Sequence, residues 1–516
     1  MLGPFRNILR LVRIAYTLAR HDALFLLDML GYGDWPQRLG RVFLPGPRAS
    51  MRELRRGQRL VAALEALGPA FIKFGQTLST RPDLVGDAFA ADLAQLRDHL
   101  APFPGEDAIE VIEGAFDCSL ETLFTSFEEA AIAAASIAQV HYAVTTEGRE
   151  VAVKILRPGV ERAFGRDIDL FRWLARIVAT TQPSMRRLKP VEVIDKFAES
   201  SFREMDLSLE AAAASELAQN FEDDDTFVVP EVDWSRTGPR VLTLGRVNAI
   251  SLGSREALID AGVNLDTVVS NLLSTFLHQV FRDGFFHGDM HPGNLFADTD
   301  GNILAVDFGI MGRLDLKNRR YLADLMLAFL TRDYWRAAEV HFEAGYVPAD
   351  QSLDTFAQAC RAIGEPVLGK PAKEISIARL LAQLLRVTEQ FQMETQTQLL
   401  LLQKTMVVAE GVARSLDPEI VFWEKAQPVI EEWMEGHMGP AARVRDNISS
   451  TLRVLRQLPG MVENAQSLVS QIADDGLRLH PETVREIARE QSHQRRWTNR
   501  LILGFGVVIA VILLLA

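Results

Sequence analysis

Two short segments of the chain carry carboxylate and amide side chains at a spacing that suits phosphoryl transfer. Residues 285–296 read FFHGDMHPGNLF, which places Asp289 five positions before Asn294, and residues 303–309 read ILAVDFG, in which Asp307 follows an apolar run. In phosphoryl transfer one carboxylate orients the attacking hydroxyl or water, while an Asn and a second carboxylate hold Mg²⁺ against the phosphates. We therefore predict Asp289 as a catalytic residue, with Asn294 and Asp307 as the metal ligands.

The same order and spacing occur in protein kinases, whose catalytic loop places Asp-x4-Asn ahead of a DFG motif. A kinase also has a strand lysine that contacts the α- and β-phosphates and pairs with a helical Glu. Lys154 in the segment EVAVKI suits that position, and Glu204 and Glu210 are both candidate partners. The sequence thus predicts that Lys154 binds the phosphates of ATP.

The segment ahead of Lys154 lacks the glycine-rich loop of a kinase. Residues 130–136 read AAIAAAS and contain no glycine. Alanine favours helix and adopts positive φ only at a cost. We expect this loop to face the nucleotide but to lie over it differently from a flexible glycine flap; the alternative is an ordinary helix start in which Ser136 is a small packing residue.

These residues need strands and helices to position them. Residues 137–144 and 150–156 have the pattern of two strands joined by a tight turn at 145–148. Helices are predicted over 22–105, with breaks near its prolines, and over 160–222. The chain beyond residue 265 is also predicted to be largely helical. Short strands are predicted within 226–243, at 294–296 and at 303–306.

Composition excludes several classes of protein. The chain has 516 residues, a net charge of -13 and 48% hydrophobic residues, so it can bury a core and is not dominated by disorder. The acidic balance argues against nucleic acid as a partner, because binding to phosphate needs clustered Lys and Arg. Cys118 and Cys360 are too few for a disulfide framework or a cysteine zinc site.

The C-terminal residues are apolar. Residues 501–516 read LILGFGVVIAVILLLA, and counting from Trp497 gives about 30 Å of helix, just enough to cross a bilayer. Arg495, Arg496 and Arg500 lie at the N-terminal side of this run, so the positive-inside rule keeps the preceding chain cytoplasmic. We predict a transmembrane anchor at 497–516, with a buried helix or a membrane-lying hairpin as the alternatives.

The N-terminal residues are basic and amphipathic. Residues 1–20 contain four arginines and no acid, with apolar residues between them. This pattern is typical of either a packed first helix or a helix that lies on a membrane surface.

A further motif points to a known family. Residues 68–84, GPAFIKFGQTLSTRPDL, contain Lys73-Phe-Gly-Gln76, which resembles the KxGQ signature of the UbiB/ADCK family of atypical, protein-kinase-like proteins. The alanine-rich segment 133–136 resembles that family's replacement for the glycine loop, and Glu204-Met-Asp206 resembles its ExD motif. The resemblance runs from about residue 50 to about residue 430 and, with the apolar tail, is to the bacterial UbiB branch.

The resemblance implies an α+β chain with a two-lobed protein-kinase-like fold, an N-terminal helical extension and a C-terminal transmembrane helix. The implied boundaries are 1–105 for the extension with the KxGQ motif, 106–247 for the N-lobe, 248–440 for the C-lobe, 441–496 for a helical connector and 497–516 for the anchor.

The resemblance also implies roles for particular residues. The extension would act as a lid over the site, with Lys73 and Gln76 over the phosphates, Gln76 held near Glu204 and Asp206, and Lys154 paired with Glu210. The implied catalytic residues are Asp289, Lys154 and Lys73. The implied lid residues are Lys73, Gly75, Gln76, Glu204 and Asp206. The implied nucleotide-binding residues are Ala133, Ala134, Ala135, Ser136, Lys154 and Glu210.

The function that the resemblance implies is that of an atypical kinase or ATPase, with ATP and Mg²⁺ as cofactors, that supports ubiquinone biosynthesis. Its implied partners are a lipid or prenylated phenol quinone precursor, the ubiquinone-biosynthesis proteins and the membrane. It would lie at the bacterial inner membrane with its catalytic domain in the cytoplasm. Water, a protein and a prenylated phenol all remain open as the phosphoryl acceptor.

Three alternatives remain beside this interpretation. A catalytically weak pseudokinase could serve as a scaffold of the biosynthetic complex, and a small-molecule phosphotransferase would share the HGDxxxxN pattern. An iron oxygenase could use His287, Asp289 and His291, but such sites usually lie in strand-rich folds, so we expect His287 to support the loop through hydrogen bonds. Residues 244–246, Leu-Gly-Arg, lack the acidic residue usual at a hinge, which leaves the nucleotide preference open.

Overall fold

The chain divides into two compact units, residues 1–434 and 435–516. The described residues of the computed structural model are 3–25, 46, 48–51, 53–79, 85–93, 96, 101–181, 189–366, 387, 390–393, 397–420 and 422–438. The predicted connector at 441–496 and the predicted anchor at 497–516 lie outside them. Within the described ranges, none of the helices has the length and apolar character needed to cross a membrane.

The strands form three sheets in the described part of the chain. One sheet has the order β1-β3-β4-β6 with β2 paired to β3, a second has the order β5-β10-β9-β7, and the third pairs β11 with β8. The strands are β1 Phe124–Phe127, β2 Ala133–Ala134, β3 Ala138–Thr145, β4 Glu150–Leu156, β5 Phe227–Val228, β6 Val241–Gly245, β7 Ile250–Ser251, β8 Phe285–His287, β9 Leu295–Ala297, β10 Ile303–Ala305 and β11 Met311–Arg313.

The helices of the described residues follow the predicted pattern in outline. The segment predicted as helical at 160–222 is divided into three helices. The helices up to that point are α1 Gly3–Arg20, α2 Arg56–Leu67, α3 Pro69–Ser79, α4 Asp87–Leu93, α5 Gly105–Phe116, α6 Leu120–Leu123, α7 Val160–Thr181, α8 Pro190–Glu204 and α9 Leu207–Asn220. The later helices are α10 Arg255–Asp260, α11 Leu265–Leu277, α12 Leu316–Leu330, α13 Tyr334–Glu343, α14 Leu353–Gly364, α15 Thr397–Leu416 and α16 Phe422–Met438.

The predicted hairpin around Lys154 is confirmed as β3 and β4, which pair antiparallel with Val140 opposite Lys154. Successive side chains of a strand point to opposite faces. Val153 and Ile155 therefore point away from the Lys154 face, and both are fully buried in a core with helix α5. Burying an aliphatic side chain of this size contributes about 1.5–3 kcal/mol, so this apolar face holds the strand register that presents Lys154 on the other face.

The extension before residue 100 packs against helix α7. Phe71 of α3 meets Phe171 of α7 edge to face, with ring centroids 4.9 Å apart, and Phe74 lies 5.2 Å from the same ring. Arg10 of α1 donates from its Nε and one terminal nitrogen to the two carboxylate oxygens of Asp167, at 2.9 and 2.8 Å. Aromatic packing and a bidentate ion pair thus hold two segments of the extension on one helix.

Candidate functional site

Lys154 lies between two carboxylates that come from distant parts of the chain. Its Nζ donates to Glu210 Oε1 and Oε2 at 2.7 and 2.9 Å and to Asp307 Oδ1 at 2.9 Å. Burial alone would lower the pKa of Lys154, but the negative charges of Asp307 and Glu210 outweigh it and raise that pKa above its usual value. Lys154 is therefore a fixed positive charge, and the partner that the resemblance implies for it, Glu210, is in place.

Helix α9 positions Glu210. Its N-cap is Asp206, whose side chain accepts a hydrogen bond from the backbone N–H of Ser208 at 3.1 Å, which satisfies one of the free donors at a helix start. Glu210 follows in the first turn and is buried. Burial raises its pKa to about 7, against the opposing charge of Lys154. Of the two glutamates that the sequence left open, Glu210 is the one that contacts Lys154.

The loop between β8 and β9 holds Asp289 and Asn294 together. The Asn294 amide nitrogen donates to the backbone carbonyl of Asp289 at 3.1 Å and lies 3.3 Å from its Oδ2. Because that nitrogen faces Asp289, the amide oxygen of Asn294 faces elsewhere. The five-residue spacing in the sequence therefore closes into a compact loop with one carboxylate and one amide oxygen at its ends.

His287 supports this loop from a fully buried position. Its Nδ1 accepts a hydrogen bond from the backbone N–H of Asp289 at 3.1 Å, and its Nε2 lies 3.3 Å from the carbonyl oxygen of Val306. Burial lowers the pKa of His287, so the neutral ring uses Nε2–H as donor and Nδ1 as acceptor. Both nitrogens are occupied, which confirms the expected supporting role and leaves His287 without a free nitrogen for iron.

Asp307 has a left-handed backbone conformation, with φ at +62°. A non-glycine residue rarely adopts this region, although Asp tolerates it better than most. The backbone N–H of Gly309 approaches its Oδ1 at 3.4 Å. The neighbouring Lys154 holds the pKa of Asp307 below its usual range, with burial acting in the opposite direction, so Asp307 is ionised at neutral pH.

The donor set of Asn294 and Asp307 fits Mg²⁺. Mg²⁺ prefers hard oxygen ligands and is usually bound by one or two carboxylates together with substrate phosphates and water. An ionised carboxylate and an amide oxygen directed away from Asp289 meet that requirement. Within the described ranges no three His, Cys, Asp or Glu side chains are grouped for a metal.

The alanine-rich segment forms a strand and a turn. Ala133 pairs with Val140 and Ala134 with Gln139, and Val140 is the residue opposite Lys154. Ser136 is buried. The segment thus lies at the edge of the sheet that carries Lys154, and the tendency of alanine to form helix is overridden by pairing with β3. Contact of residues 133–136 with a nucleotide stays a prediction.

The KFGQ segment lies in helix α3. Lys73 forms an ion pair with Glu204, and about one sixth of each side chain is exposed, 17% in both. The Gln76 side chain donates to the carbonyl of Leu96 at 3.5 Å. A Cβ on Gly75 would lie 2.4 Å from Leu96 Cδ1 and 2.7 Å from Leu64 Cδ1. Gly75 is therefore explained by close packing of the extension, while the placing of Lys73 and Gln76 over phosphates stays a prediction.

Helix α15 brings two residues to the site that the sequence did not predict. The buried hydroxyl of Thr405 lies 3.0 Å from the carbonyl oxygen of Gly288 and 2.9 Å from that of Leu401. The Nζ of Lys404 lies 4.0 Å from Asp289 Oδ1. The only sequence feature that could have indicated these two residues is a Lys-Thr pair inside the mostly apolar segment 399–408, LLLLQKTMVV.

Comparison with known proteins identifies two matching domains. Residues 95–341 match the ABC1 atypical kinase-like domain, and residues 360–421 match the UbiB helical domain. A probable protein kinase UbiB of Marinobacter nauticus is 38% identical over 502 residues, which cover 96% of this chain and 91% of that protein. A probable protein kinase UbiB of Aeromonas salmonicida is 40% identical over 501 residues, or 96% of this chain and 88% of that one.

One solved structure is similar in fold. It is the complex of Rv3197 with erythromycin from Mycobacterium tuberculosis, with a TM-score of 0.50 and 23% identity, covering 71% of this chain and 93% of that chain. At this identity the similarity bears on the kinase-like fold alone.

Proposed function

Because the chain belongs to the UbiB family and carries its atypical kinase-like and helical domains, we propose that it is a Mg-ATP-dependent phosphotransferase or ATPase that supports ubiquinone biosynthesis at the membrane. The acceptor of the γ-phosphoryl group is water or a hydroxyl group of a lipid-soluble quinone precursor or of a protein of its biosynthetic complex.

The observation that carries this proposal is the position of Lys154 between Glu210 and Asp307. In protein kinases the strand lysine, the helical glutamate and the DFG aspartate must all be in place for phosphoryl transfer. Here all three are within hydrogen-bond distance, although the chain separates Lys154 from Asp307 by 153 residues. A scaffold that did not bind nucleotide would have no need to keep this constellation.

The residues of the site divide the chemistry between them. Lys154 binds the α- and β-phosphates, and Glu210 holds its ammonium group in place. Asp289 orients the attacking hydroxyl or water and receives its proton, with its backbone fixed by His287. Asn294 and Asp307 would hold Mg²⁺, which would supply positive charge that neutralises the phosphates.

The extension accounts for a restricted choice of acceptor. Lys73 and Glu204 fasten helix α3 to the end of helix α8, which leads directly to Asp206 and the helix that bears Glu210. A lid attached at this point limits access for a large acceptor. We therefore expect hydrolysis or transfer to a small hydroxyl to be faster than phosphorylation of peptides.

Binding of Mg-ATP tests the first part of the proposal. In calorimetry, Asp307→Asn should weaken Mg-ATP binding about tenfold or more, because a charged metal ligand is lost while Asn still tolerates the left-handed backbone. The matched control is Asp300→Asn, an exposed aspartate in the turn before β10, which should bind as the wild type does. Equal affinities for Asp307→Asn and the wild type would disprove the metal assignment.

Ubiquinone production tests the second part. A strain lacking the protein should accumulate a quinone precursor, and a strain carrying Asp289→Asn should accumulate the same precursor, because the carboxylate that orients the acceptor is gone. Restoration of ubiquinone by Asp289→Asn, expressed at the wild-type level, would favour the scaffold alternative over catalysis.

A further inference from the structure

Helix α15 lies outside the kinase-like match and inside the UbiB helical match, yet it touches the catalytic loop. The Thr405 hydroxyl, buried within α15, approaches the carbonyl of Gly288, the residue immediately before Asp289. A Cβ on Gly288 would lie 2.8 Å from Ile310 Cγ2 and 3.2 Å from Leu401 Cδ1. Gly288 is therefore closely packed between Ile310 and Leu401 of helix α15.

The residue before Thr405 in helix α15 is Lys404. Its Nζ lies 4.0 Å from Asp289 Oδ1, at the outer limit of an ion pair, while the other carboxylate oxygen of Asp289 faces Asn294. The side chain of Lys404 is 47% exposed, and that of Asp289 is 37% exposed. A pair of this length and exposure contributes little to stability, so stability does not explain why a cation lies beside Asp289.

The chemistry of the loop does explain it. Residues 289–294 contain no Lys or Arg, Lys154 is assigned to the α- and β-phosphates, and Lys73 is paired with Glu204. The phosphoryl group in transit carries negative charge on its three equatorial oxygens, and a cation placed beside it lowers the barrier. Lys404 is placed on the acceptor side, where Asp289 orients the attacking oxygen.

We propose that Lys404 is a catalytic residue that the helical domain supplies to the kinase-like domain, and that its ammonium group binds the transferring phosphoryl group. The inference rests on the proposed function. In the step, a P–O bond forms to the attacking oxygen while the bond from the γ-phosphorus to ADP breaks. The proton of the attacking hydroxyl or water passes to Asp289, and Lys404 keeps its own protons throughout.

The test compares a ground-state ligand with an analogue of the transition state. The full chain in detergent is titrated with Mg-ADP and with Mg-ADP plus aluminium fluoride. Lys404→Met should bind Mg-ADP within about twofold of the wild type but lose about tenfold or more of its affinity for the aluminium fluoride complex, because only the latter resembles the transferring phosphoryl group. Its rate of ATP hydrolysis should fall about 100-fold.

Two further variants separate charge from structure. Lys404→Arg keeps the charge and should retain most of the preference for aluminium fluoride. Lys425→Met removes a lysine of α16 that contacts Ser270 and Asp266 instead, and it should leave both affinities unchanged.

The inference is overturned if Lys404→Met binds both ligands as the wild type does, or if it loses Mg-ADP binding and stability together, since the lysine would then be structural. A wild-type chain that binds neither ligand would overturn the proposed function and this inference with it. A wild-type chain that binds both and an unaffected Lys404→Met would overturn this inference alone.

Discussion

Lys73 and Glu204 form an ion pair that joins the N-terminal extension to the last residue of helix α8. Two residues further on, Asp206 caps helix α9, and the first turn of that helix carries Glu210, the partner of Lys154. Lys73 and Lys154 thus contact glutamates on the two sides of the short junction between helices α8 and α9. Movement of the extension is therefore expected to act on the position of Glu210.

This ion pair should show a measurable coupling. We expect a double-mutant cycle to give a coupling energy of about 0.5–3 kcal/mol, because both side chains are largely buried. The cycle consists of Lys73→Met, Glu204→Gln and the double variant. The cycle is measured by urea unfolding of the full chain in detergent. The exposed pair Lys189–Glu192, with 68% and 61% of its side chains exposed, serves as the control and should give less than about 0.5 kcal/mol. Equal coupling energies for the two pairs would mean that the Lys73–Glu204 pair does not join the extension to helix α8.

The raised pKa of Glu210 predicts a pH dependence of stability. Its pKa is raised from 4.5 to about 7 in the folded protein, so its contribution to stability is complete below about pH 4.5 and is lost as the pH rises through about 7. The contribution of Asp307, whose pKa is lowered from 3.8, is constant in that window. The stability of Glu210→Gln relative to the wild type should therefore increase from pH 5 to pH 7. A difference that does not change with pH would show that Glu210 is ionised throughout.

The close contact between helix α15 and the catalytic loop predicts opposite effects for two glycines. Gly288→Ala places a methyl group against Ile310 and Leu401 and should cost about 1–3 kcal/mol of stability through overpacking. Gly411 lies in α15 itself, and a Cβ added there would meet no neighbour within 4 Å in the described part of the chain, so Gly411→Ala should stabilise the helix by up to about 1 kcal/mol. Thermal unfolding of both variants measures this. A Gly288→Ala variant as stable as the wild type would mean that Gly288 is not closely packed against Ile310 and Leu401.

The apolar tail predicts membrane attachment. Deletion of residues 497–516 should move the protein from the membrane fraction to the soluble fraction, because the uncharged run at the C-terminus is removed. Exposed Val12 and Tyr16 lie four residues apart on helix α1, with 57% and 49% of each exposed. If the truncated protein stays in the membrane fraction, the anchor prediction is wrong, and loss of binding on adding Val12→Asp and Tyr16→Asp would assign the attachment to α1.

The sequence by itself determined the parts of the site that are local in the chain. The β3–β4 hairpin follows from alternating side chains and a tight turn, and the loop from Asp289 to Asn294 closes within five residues. The order of Lys154, Asp289 and Asp307 was enough to predict phosphoryl transfer. The hairpin and the loop could be predicted because neighbouring residues alone decide their geometry.

The tertiary structure decided the contacts between distant segments. Glu204 and Glu210 lie six positions apart, and only the break between helices α8 and α9 sends one to Lys73 and the other to Lys154. Lys404 reaches Asp289 across 115 positions because Thr405 and Gly288 allow helix and loop to approach closely. Such contacts depend on how whole helices pack. That packing is the sum of many weak apolar contacts, which no local sequence pattern predicts.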